Sequence, residues 1–302
     1  MSLARSYFGV QASAGAVWWF AVFASDEVRR WTLGGWDPTI LVAPDLVLFV
    51  GASAWAALLG SRTAAVIAAA WTTAMTVALG MYGLAAQEAG WGVVVMSVAT
   101  IGTLAATATM WFGHLPTGWF FVGPFSFHVA DDASDAHHLR RSLVQLVVFW
   151  TTFFVVVPLL LVVVEERLGL SWNALDHQAV HLVGATMFVL GSAAGLWSCV
   201  TMALQGKGTP LPAETARELV ITGPYRFVRN PMAVAGYVQT TGIGLLVGSW
   251  MVIAIAAAGA VAWNVLIRPE EEADLADRFG EPYRQYAEGV RCWVPTSPWQ
   301  GP

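Results

Sequence analysis

Long apolar segments dominate this chain and decide what it can fold into. The segment from Met232 to Ile267 has no charged residue and, at ~1.5 Å per residue, fits two short membrane crossings better than one. Further segments approach or exceed the ~20 apolar residues that one helical crossing needs: Leu41–Gly60, Thr63–Ala86, Gly92–Phe112, Ser142–Val164, Ala179–Leu204 and, more weakly, Val10–Ala24. The pattern predicts an all-α, polytopic membrane helical bundle with about eight transmembrane helices.

Charge is scarce and unevenly distributed along the chain. Only 12% of the residues are charged and the net charge is -5, which gives no reason to expect nucleic acid as a partner. Residues 1–112 have hardly any charge inside their spans, whereas the candidate chemistry lies after them. We therefore predict an N-terminal four-helix scaffold over 1–112 and a C-terminal domain over 113–302, with its functional core in 179–302.

Basic residues predict the orientation in the membrane. Two segments, one between the sixth and seventh spans and one after the eighth, contain most of them: Lys207, Arg217, Arg226, Arg229, Arg268, Arg278, Arg284 and Arg291. Positive charge favours the cytoplasmic side, so both segments and both termini are expected there. The expected location is the inner membrane of a bacterial cell, with the lipid bilayer as partner. Oligomeric state stays open.

A loop rich in histidine and aspartate, residues 113–141, precedes the fifth span. It contains His114, His128, Asp131, Asp132, Asp135, His137 and His138. Their spacing matches no metal motif, and adjacent histidines point in different directions on a helix or a strand, so no metal site is predicted. Asp135 is expected to cap the next helix at its N-terminus.

A tight turn precedes the seventh span and contains Tyr225, Arg226, Arg229, Asn230 and Pro231. Gly-Pro and Asn-Pro pairs mark turns, and proline is well tolerated in the first turn of a helix. The next helix therefore presents free N-H groups beside two arginines, which suits a carboxylate or phosphate. Anchoring of the arginines to lipid headgroups is the alternative.

A glutamate-rich segment follows the eighth span and begins Arg268-Pro269-Glu270-Glu271-Glu272. Acidic residues gain nothing from an anionic membrane surface, so lipid anchoring does not explain them. They can accept hydrogen bonds from ribose hydroxyls or attract a cation. The hydrophobic hairpin brings this segment to the same side of the membrane as the arginine-rich turn.

The two segments together resemble the C-terminal signature of the isoprenylcysteine carboxyl methyltransferase and phospholipid N-methyltransferase superfamily. GPYRFVRNPM, the uncharged hairpin and RPEEEADLADRFGEPYRQYAEGV occur in the order of that signature and cover about the last third of the chain. The resemblance implies an integral membrane methyltransferase that uses S-adenosylmethionine. It also implies a cytosol-facing pocket capped by a C-terminal helical segment, and a lipophilic acceptor taken from the bilayer.

Carried over by position, the resemblance assigns six residues to the cofactor pocket: Tyr225, Arg229, Asn230, Pro231, Glu270 and Glu271. Arg268 would face the reacting end, and Asn230 and Arg268 are the candidate catalytic residues. Asn230 replaces a histidine of the family pattern. Asparagine does not titrate near neutral pH, so a hydrogen-bonding role remains and a proton-transfer role is in doubt.

Several alternatives stay open. Membrane sterol and steroid reductases resemble the same C-terminal architecture with NADPH in the pocket, although the paired glutamate fits methyltransferases better. A transporter would need charges or breaks within several spans; Pro158 is the one clear break and mid-span charges are lacking. Gly236, Gly242 and Gly244 suit either approach to a cofactor or packing against the eighth span. The acceptor is open among a prenyl-cysteine carboxylate, a phospholipid amine and another hydrophobic small molecule.

Overall fold

A computed structural model describes residues 2–118, 129–130, 134–209 and 215–301, and these are mostly helical, with no named strand. The helices are α1 (Leu3–Ala24), α2 (Asp26–Leu33), α3 (Pro38–Leu59), α4 (Arg62–Ala86), α5 (Gly90–Phe112), α6 (Asp135–Arg167), α7 (Gln178–Gln205), α8 (Pro231–Leu246), α9 (Trp250–Phe279) and α10 (Glu281–Gly289). Short 3₁₀ turns lie at Asn173–Leu175 and Gly223–Arg226. The predicted all-α bundle is confirmed.

Seven of these helices are long and apolar enough to cross a membrane: α1, α3, α4, α5, α6, α7 and α9. Helix α8 has 16 residues and is therefore roughly 24 Å long, somewhat shorter than a bilayer core of ~30 Å. Helix α9 begins at Trp250, directly after a turn that ends α8. The uncharged run is thus divided into two helices, as predicted.

Prolines accompany local π-helical turns inside three of the long helices. Pro158 follows the π turn Thr152–Val156 of α6, so the predicted break is present there. Pro44 precedes a π turn in α3 and Pro269 follows one in α9. A proline lacks the N-H of the helical ladder and its ring crowds the preceding turn, which accounts for the irregularity.

The chain forms two compact units. The first comprises residues 1–116 and 164–170, and the second comprises 117–163 and 171–302. Residues 164–170 of the first unit include the last turn of α6. The domain boundary expected at residue 112 stays a prediction. The scaffold and catalytic roles of the two parts stay predictions.

Small residues form the core of the first unit. Ala56, Ala65 and Ala68 are fully buried around Phe8. Asp45 of α3 is also buried, and its two carboxylate oxygens accept hydrogen bonds from the indole N-H groups of Trp19 and Trp71, each at 2.7 Å. Asp45 is one of the few acidic residues inside the first four predicted spans, and two tryptophans satisfy its carboxyl group.

Ser134, not Asp135, is the N-cap of α6. The Ser134 hydroxyl accepts a hydrogen bond from the His137 backbone N-H at 3.4 Å, and Asp135 lies in the first turn. The residue expected to cap the helix was wrong by one position, although a carboxylate in the first turn still favours the helix dipole. Within the described ranges no group of three or more histidine, cysteine or carboxylate side chains could hold a metal ion. His128, Asp131 and Asp132 of the loop lie outside those ranges.

Glycines let α7 and α8 approach closely in the second unit. A β-carbon at Gly184 would lie 2.5 Å from the Leu246 backbone nitrogen, and one at Gly242 would lie 2.8 Å from the Gly184 carbonyl oxygen. The packing role of Gly242 therefore involves α7, the helix before it, rather than α9. Gly244 does pack against α9, since a β-carbon there would lie 2.5 Å from the Ile253 side chain.

Candidate functional site

A cavity of about 420 Å³ lies within the second unit. Its lining comes from α6, α7, α8, α9 and α10, together with the segments 209–220 and 225–230 and Cys292. Volumes of roughly 300–1,000 Å³ are typical of small-molecule sites. The arginine-rich turn and the glutamate-rich segment both contribute to it, so the hairpin brings the two polar clusters together as expected.

The turn before α8 is held in a fixed conformation. Gly223 has φ of 56°, and a β-carbon there would lie 2.9 Å from the Thr201 hydroxyl, so glycine suits both the backbone and the space. Tyr225 follows in the 3₁₀ turn and is 4% exposed. Its backbone carbonyl accepts a hydrogen bond from the Tyr286 hydroxyl at 2.6 Å, which links the turn to α10.

The C-terminal residues cover the same turn through main-chain hydrogen bonds. The Arg229 N-H donates to the Arg291 carbonyl at 2.9 Å, the Thr296 N-H to the Phe227 carbonyl at 2.8 Å, and the Trp299 N-H to the Arg226 carbonyl at 3.0 Å. One of these bonds is donated by the turn and two are donated by the tail, so the two segments are held together by three main-chain hydrogen bonds. The predicted C-terminal segment that caps the pocket is thus present, as α10 and the residues after it.

Glu272 accepts hydrogen bonds from two arginines. One of its carboxylate oxygens lies 2.8 Å from Arg229 Nη2 and 2.9 Å from Arg268 Nε. Arg229 also donates from Nη1 to the Ala287 carbonyl at 2.6 Å, and Arg268 donates to the Asn264 side chain at 2.9 Å. Arg229 therefore connects the start of α8 to both α9 and α10, and Glu272 fixes its orientation.

Asn230 is the N-cap of α8. Its side-chain oxygen accepts a hydrogen bond from the Ala233 N-H at 3.0 Å, and its side-chain nitrogen lies 3.5 Å from a carboxylate oxygen of Glu271. Pro231 occupies the first position of the helix, where the missing N-H costs nothing. The residue that departs from the family pattern thus has a structural function in this chain.

The two contacts of Asn230 can be separated by substitution. We expect Asn230→Ala to lower the free energy of unfolding by about 1 kcal/mol through loss of the cap, and also to weaken ligand binding in the cavity. Asn230→Ser keeps a capping oxygen, but its hydroxyl is one bond shorter than the amide and does not extend to Glu271, so it should restore the melting temperature without restoring affinity. Thermal unfolding and calorimetry on both variants test this. Full recovery of affinity by serine would contradict a binding role for the Asn230 amide.

Not every residue assigned from the sequence lines the cavity. Tyr225, Arg229, Asn230 and Glu271 do. Glu270 is exposed and accepts a long hydrogen bond from the Thr117 hydroxyl at 3.4 Å. Pro231 and Arg268 also lie outside the lining: Pro231 sets the start of α8, and Arg268 contacts the site through Glu272.

Four polar atoms of lining residues are buried without a hydrogen-bond partner in the part of the chain that the structure describes. They are the Tyr225 hydroxyl, Arg229 Nε, Thr209 Oγ1 and Gln145 Oε1. Nearly all buried polar groups in native proteins are paired, and leaving one unpaired costs ~1–3 kcal/mol. Four such atoms around one cavity indicate a polar ligand that completes them.

Three of the four carboxylates among the described lining residues are paired with basic side chains. Glu218 pairs with Lys207, Asp274 with Arg278, and Glu272 with both Arg229 and Arg268. Glu271 is the lining carboxyl group that has no ion pair among the described residues, so it is the one available to a ligand.

Burial keeps the phenols of the lining protonated. It raises the pKa of the Tyr225 phenol well above its ordinary value, and the nearby Glu271 raises it further. Burial likewise raises the pKa of Tyr283 to about 12, again with help from a carboxylate, that of Glu272. The Tyr225 hydroxyl is thus a hydrogen-bond donor, and no base, across the physiological pH range.

Several residues of the lining were not predicted from the sequence. Tyr283 and Tyr286 were visible as an aromatic pair but received no role. Gln239 is a polar residue in the middle of an apolar span, a signal that was available. Gln145 lies near the start of the predicted span Ser142–Val164 and Thr209 lies in a predicted loop, and nothing in the local pattern shows that the two line one cavity.

Comparison with known proteins agrees with this location. Residues 179–282 match a family model described as phospholipid methyltransferase. The match confirms, for that segment, the resemblance indicated by the GPYRFVRNPM and RPEEE motifs. No curated protein and no solved structure matches the chain.

Proposed function

We propose that this integral membrane protein is an S-adenosylmethionine-dependent methyltransferase whose acceptor is a lipophilic molecule. The observation that carries the proposal is the Tyr225 hydroxyl: it lines the cavity, has no partner among the described residues, and belongs to the segment that matches the methyltransferase family. When bound, S-adenosylmethionine supplies a methyl group on a positively charged sulfur that keeps both electrons of the broken carbon-sulfur bond.

The residues that line the cavity fit S-adenosylmethionine. Tyr225 and Arg229 each offer an unpartnered donor, which suits the carboxylate of an amino acid moiety. Glu271 offers carboxylate oxygens to hydroxyl or ammonium groups. The phosphates of NADPH would need several basic partners, and Arg229 is the one basic side chain among the described lining residues, which speaks against the reductase alternative.

The same cavity has an apolar part that suits a lipophilic acceptor. Leu146, Phe149 and Trp150 of α6 and Trp263 of α9 line it. Methyl transfer needs an aligned, desolvated nucleophile more than it needs acid-base groups, and an apolar wall excludes water from the reacting atoms. Absence of a titratable histidine at position 230 is compatible with this requirement.

For Arg268 we propose a positioning role rather than contact with the reacting end. Its guanidinium is bound to Glu272 and Asn264, and it does not line the cavity. By holding Glu272, it orients Arg229. A substitution such as Arg268→Lys would then act mainly on cofactor affinity, through Arg229.

The purified protein in detergent is expected to bind S-adenosylmethionine and its demethylated product, S-adenosylhomocysteine, saturably. Isothermal titration calorimetry measures both, and NADPH added in excess should not compete. Tight NADPH binding with no response to S-adenosylmethionine would overturn the proposal in favour of the reductase.

A further inference from the structure

Glu271 lines the cavity without a basic partner in the part of the chain that the structure describes. The guanidinium of Arg229, in the same lining, is already bound to Glu272 at 2.8 Å. Glu271 itself is only partly exposed, and its one polar contact among the described residues is the long one of 3.5 Å to the Asn230 amide. A carboxylate that is withdrawn from water without a cation is costly, so such a group tends to keep its proton.

The titratable groups that face Glu271 give it no positive charge. They are two carboxyl groups of its own helix, two phenols and a thiol: Glu272, Asp274, Tyr225, Tyr283 and Cys292. Burial raises the pKa of both phenols and of the thiol, so these three groups are uncharged near neutral pH. No histidine or lysine is among the described lining residues. Glu271 lies beyond the uncharged run that ends at Ile267, and burial together with the two neighbouring carboxylates raises its pKa to about 7.

The same part of the cavity offers hydrogen-bond donors beside this acceptor. The Tyr225 hydroxyl and Arg229 Nε are buried and have no partner among the described residues. Glu271 adjoins both, because its charge acts on the Tyr225 phenol and its carboxyl group contacts Asn230, the residue after Arg229. Donors next to an acceptor suit the α-carboxylate and the α-ammonium of an amino acid, which are attached to the same carbon. S-adenosylmethionine and S-adenosylhomocysteine both carry this pair of groups.

We propose that Glu271 is uncharged in the ligand-free protein and becomes the carboxylate partner of the α-ammonium of the cofactor, so that cofactor binding releases a proton. The ammonium keeps its three protons, the Glu271 carboxyl group loses one to water, and no other reactant takes part. The inference rests on the proposed methyltransferase function. It adds the end of the cofactor that Glu271 binds and a dependence of binding on pH.

The proton gives the pH dependence a definite sign. An ammonium partner lowers the pKa of Glu271 in the complex. Below about pH 7 the carboxyl group of the ligand-free protein is mostly protonated, and it must lose that proton before it can pair with the ligand. Affinity for S-adenosylmethionine should therefore fall about fivefold from pH 7 to pH 6 and change less than about twofold from pH 7 to pH 7.5.

Isothermal titration calorimetry on the full chain in phosphatidylcholine nanodiscs counts the released protons. S-adenosylmethionine is titrated at pH 6 and at pH 7 in phosphate, MES and imidazole, whose ionisation enthalpies differ. The slope of the observed enthalpy against the ionisation enthalpy of the buffer is the number of protons released. We expect close to one proton at pH 6 and about half a proton at pH 7. A wild-type protein that binds S-adenosylmethionine at pH 6 with no proton release would overturn the inference.

Two further ligands identify the group that Glu271 binds. S-adenosylhomocysteine has the ammonium but no sulfonium, so it should release as many protons as S-adenosylmethionine. Its deaminated analogue, the thioether of 5′-deoxyadenosine and butanoic acid, should bind at least about tenfold more weakly and release none. Proton release with S-adenosylmethionine alone would assign Glu271 to the sulfonium, and equal release with the deaminated analogue would assign it to another group of the ligand. Either result overturns the proposal.

Glu271→Gln tests the same step from the side of the protein. This variant should release no proton, and its weakened affinity should be equal at pH 6 and pH 7. Glu270→Gln is the matched control, because Glu270 is exposed and outside the lining, and it should keep the proton release of the wild type. Proton release that persists in Glu271→Gln would overturn the inference.

The wild-type proton count decides the matter even where a variant does not fold. Failure of the wild type to bind both S-adenosylmethionine and S-adenosylhomocysteine would instead reject the proposed function itself.

Discussion

The Tyr225→Phe variant is expected to unfold at a higher temperature than the wild-type protein and to bind S-adenosylmethionine more weakly. The Tyr225 hydroxyl is buried and has no partner among the described residues of the ligand-free chain, so its removal relieves an unsatisfied polar group. In the complex the same removal leaves a ligand group unpaired, which costs ~1–3 kcal/mol, or about five- to 150-fold in affinity. Thermal unfolding without ligand and calorimetry with it measure the two effects.

Tyr286→Phe is the matched control for this experiment. The Tyr286 hydroxyl is also buried, but it donates to the Tyr225 carbonyl at 2.6 Å, so its removal breaks an existing bond. We expect it to lower the free energy of unfolding by about 1 kcal/mol. Opposite signs in the two variants would distinguish a binding group from a structural one. A lower melting temperature in both would show that Tyr225 has a structural role.

The architecture of the C-terminal half was predictable because hydrophobic length and helix hairpins are strong constraints. Once Met232–Ile267 is read as a hairpin, the turn before it and the segment after it must lie on one side. The ends of the helices were harder to predict. The predicted membrane span ended at Ile267, whereas helix α9 continues to Phe279. The membrane boundary and the helix boundary differ, since charged residues are good helix formers outside lipid.

The motif alone does not determine which of the three consecutive glutamates face the cavity. Successive helical residues are about 100° apart, so a motif that contains three glutamates does not say which of them face the cavity. Leu275 and Phe279 also line it and follow Glu271 and Glu272 at helical spacing, which turns Glu270 away. That periodicity was present in the sequence. The family pattern drew attention to the first two glutamates instead.

Other features depend on contacts between distant segments and had no local signal. The tail after α10 binds the turn at Arg226–Arg229 through backbone groups, which any sequence can supply. Gln145 reaches the cavity from α6, outside the segment that matches the family model. Such contacts arise from tertiary packing, and one sequence does not reveal which helices are neighbours.

Glu271→Gln is expected to weaken S-adenosylmethionine binding by about ten- to a hundredfold, because a hydrogen bond to a charged group is worth ~1.5–3 kcal/mol. Stability should not fall. Among the described residues, the Glu271 side chain has a single polar contact, the long one of 3.5 Å to Asn230, and it lies beside the carboxylates of Glu272 and Asp274. Burial and these two carboxylates raise the pKa of Glu271 to about 7, so the ligand-free protein already accommodates an uncharged group at this position.

The two flanking glutamates supply matched controls for the same substitution. Glu270→Gln should alter neither stability nor affinity, because Glu270 is exposed and outside the cavity. Glu272→Gln should lower the melting temperature, since Glu272 accepts hydrogen bonds from both Arg229 and Arg268, and it should weaken binding only through displacement of Arg229. The three single substitutions, Glu270→Gln, Glu271→Gln and Glu272→Gln, thus have three different expected outcomes in calorimetry and thermal unfolding. Equal effects of all three on affinity would mean that the acidic segment acts as a diffuse negative charge, and the specific role proposed for Glu271 would then be wrong.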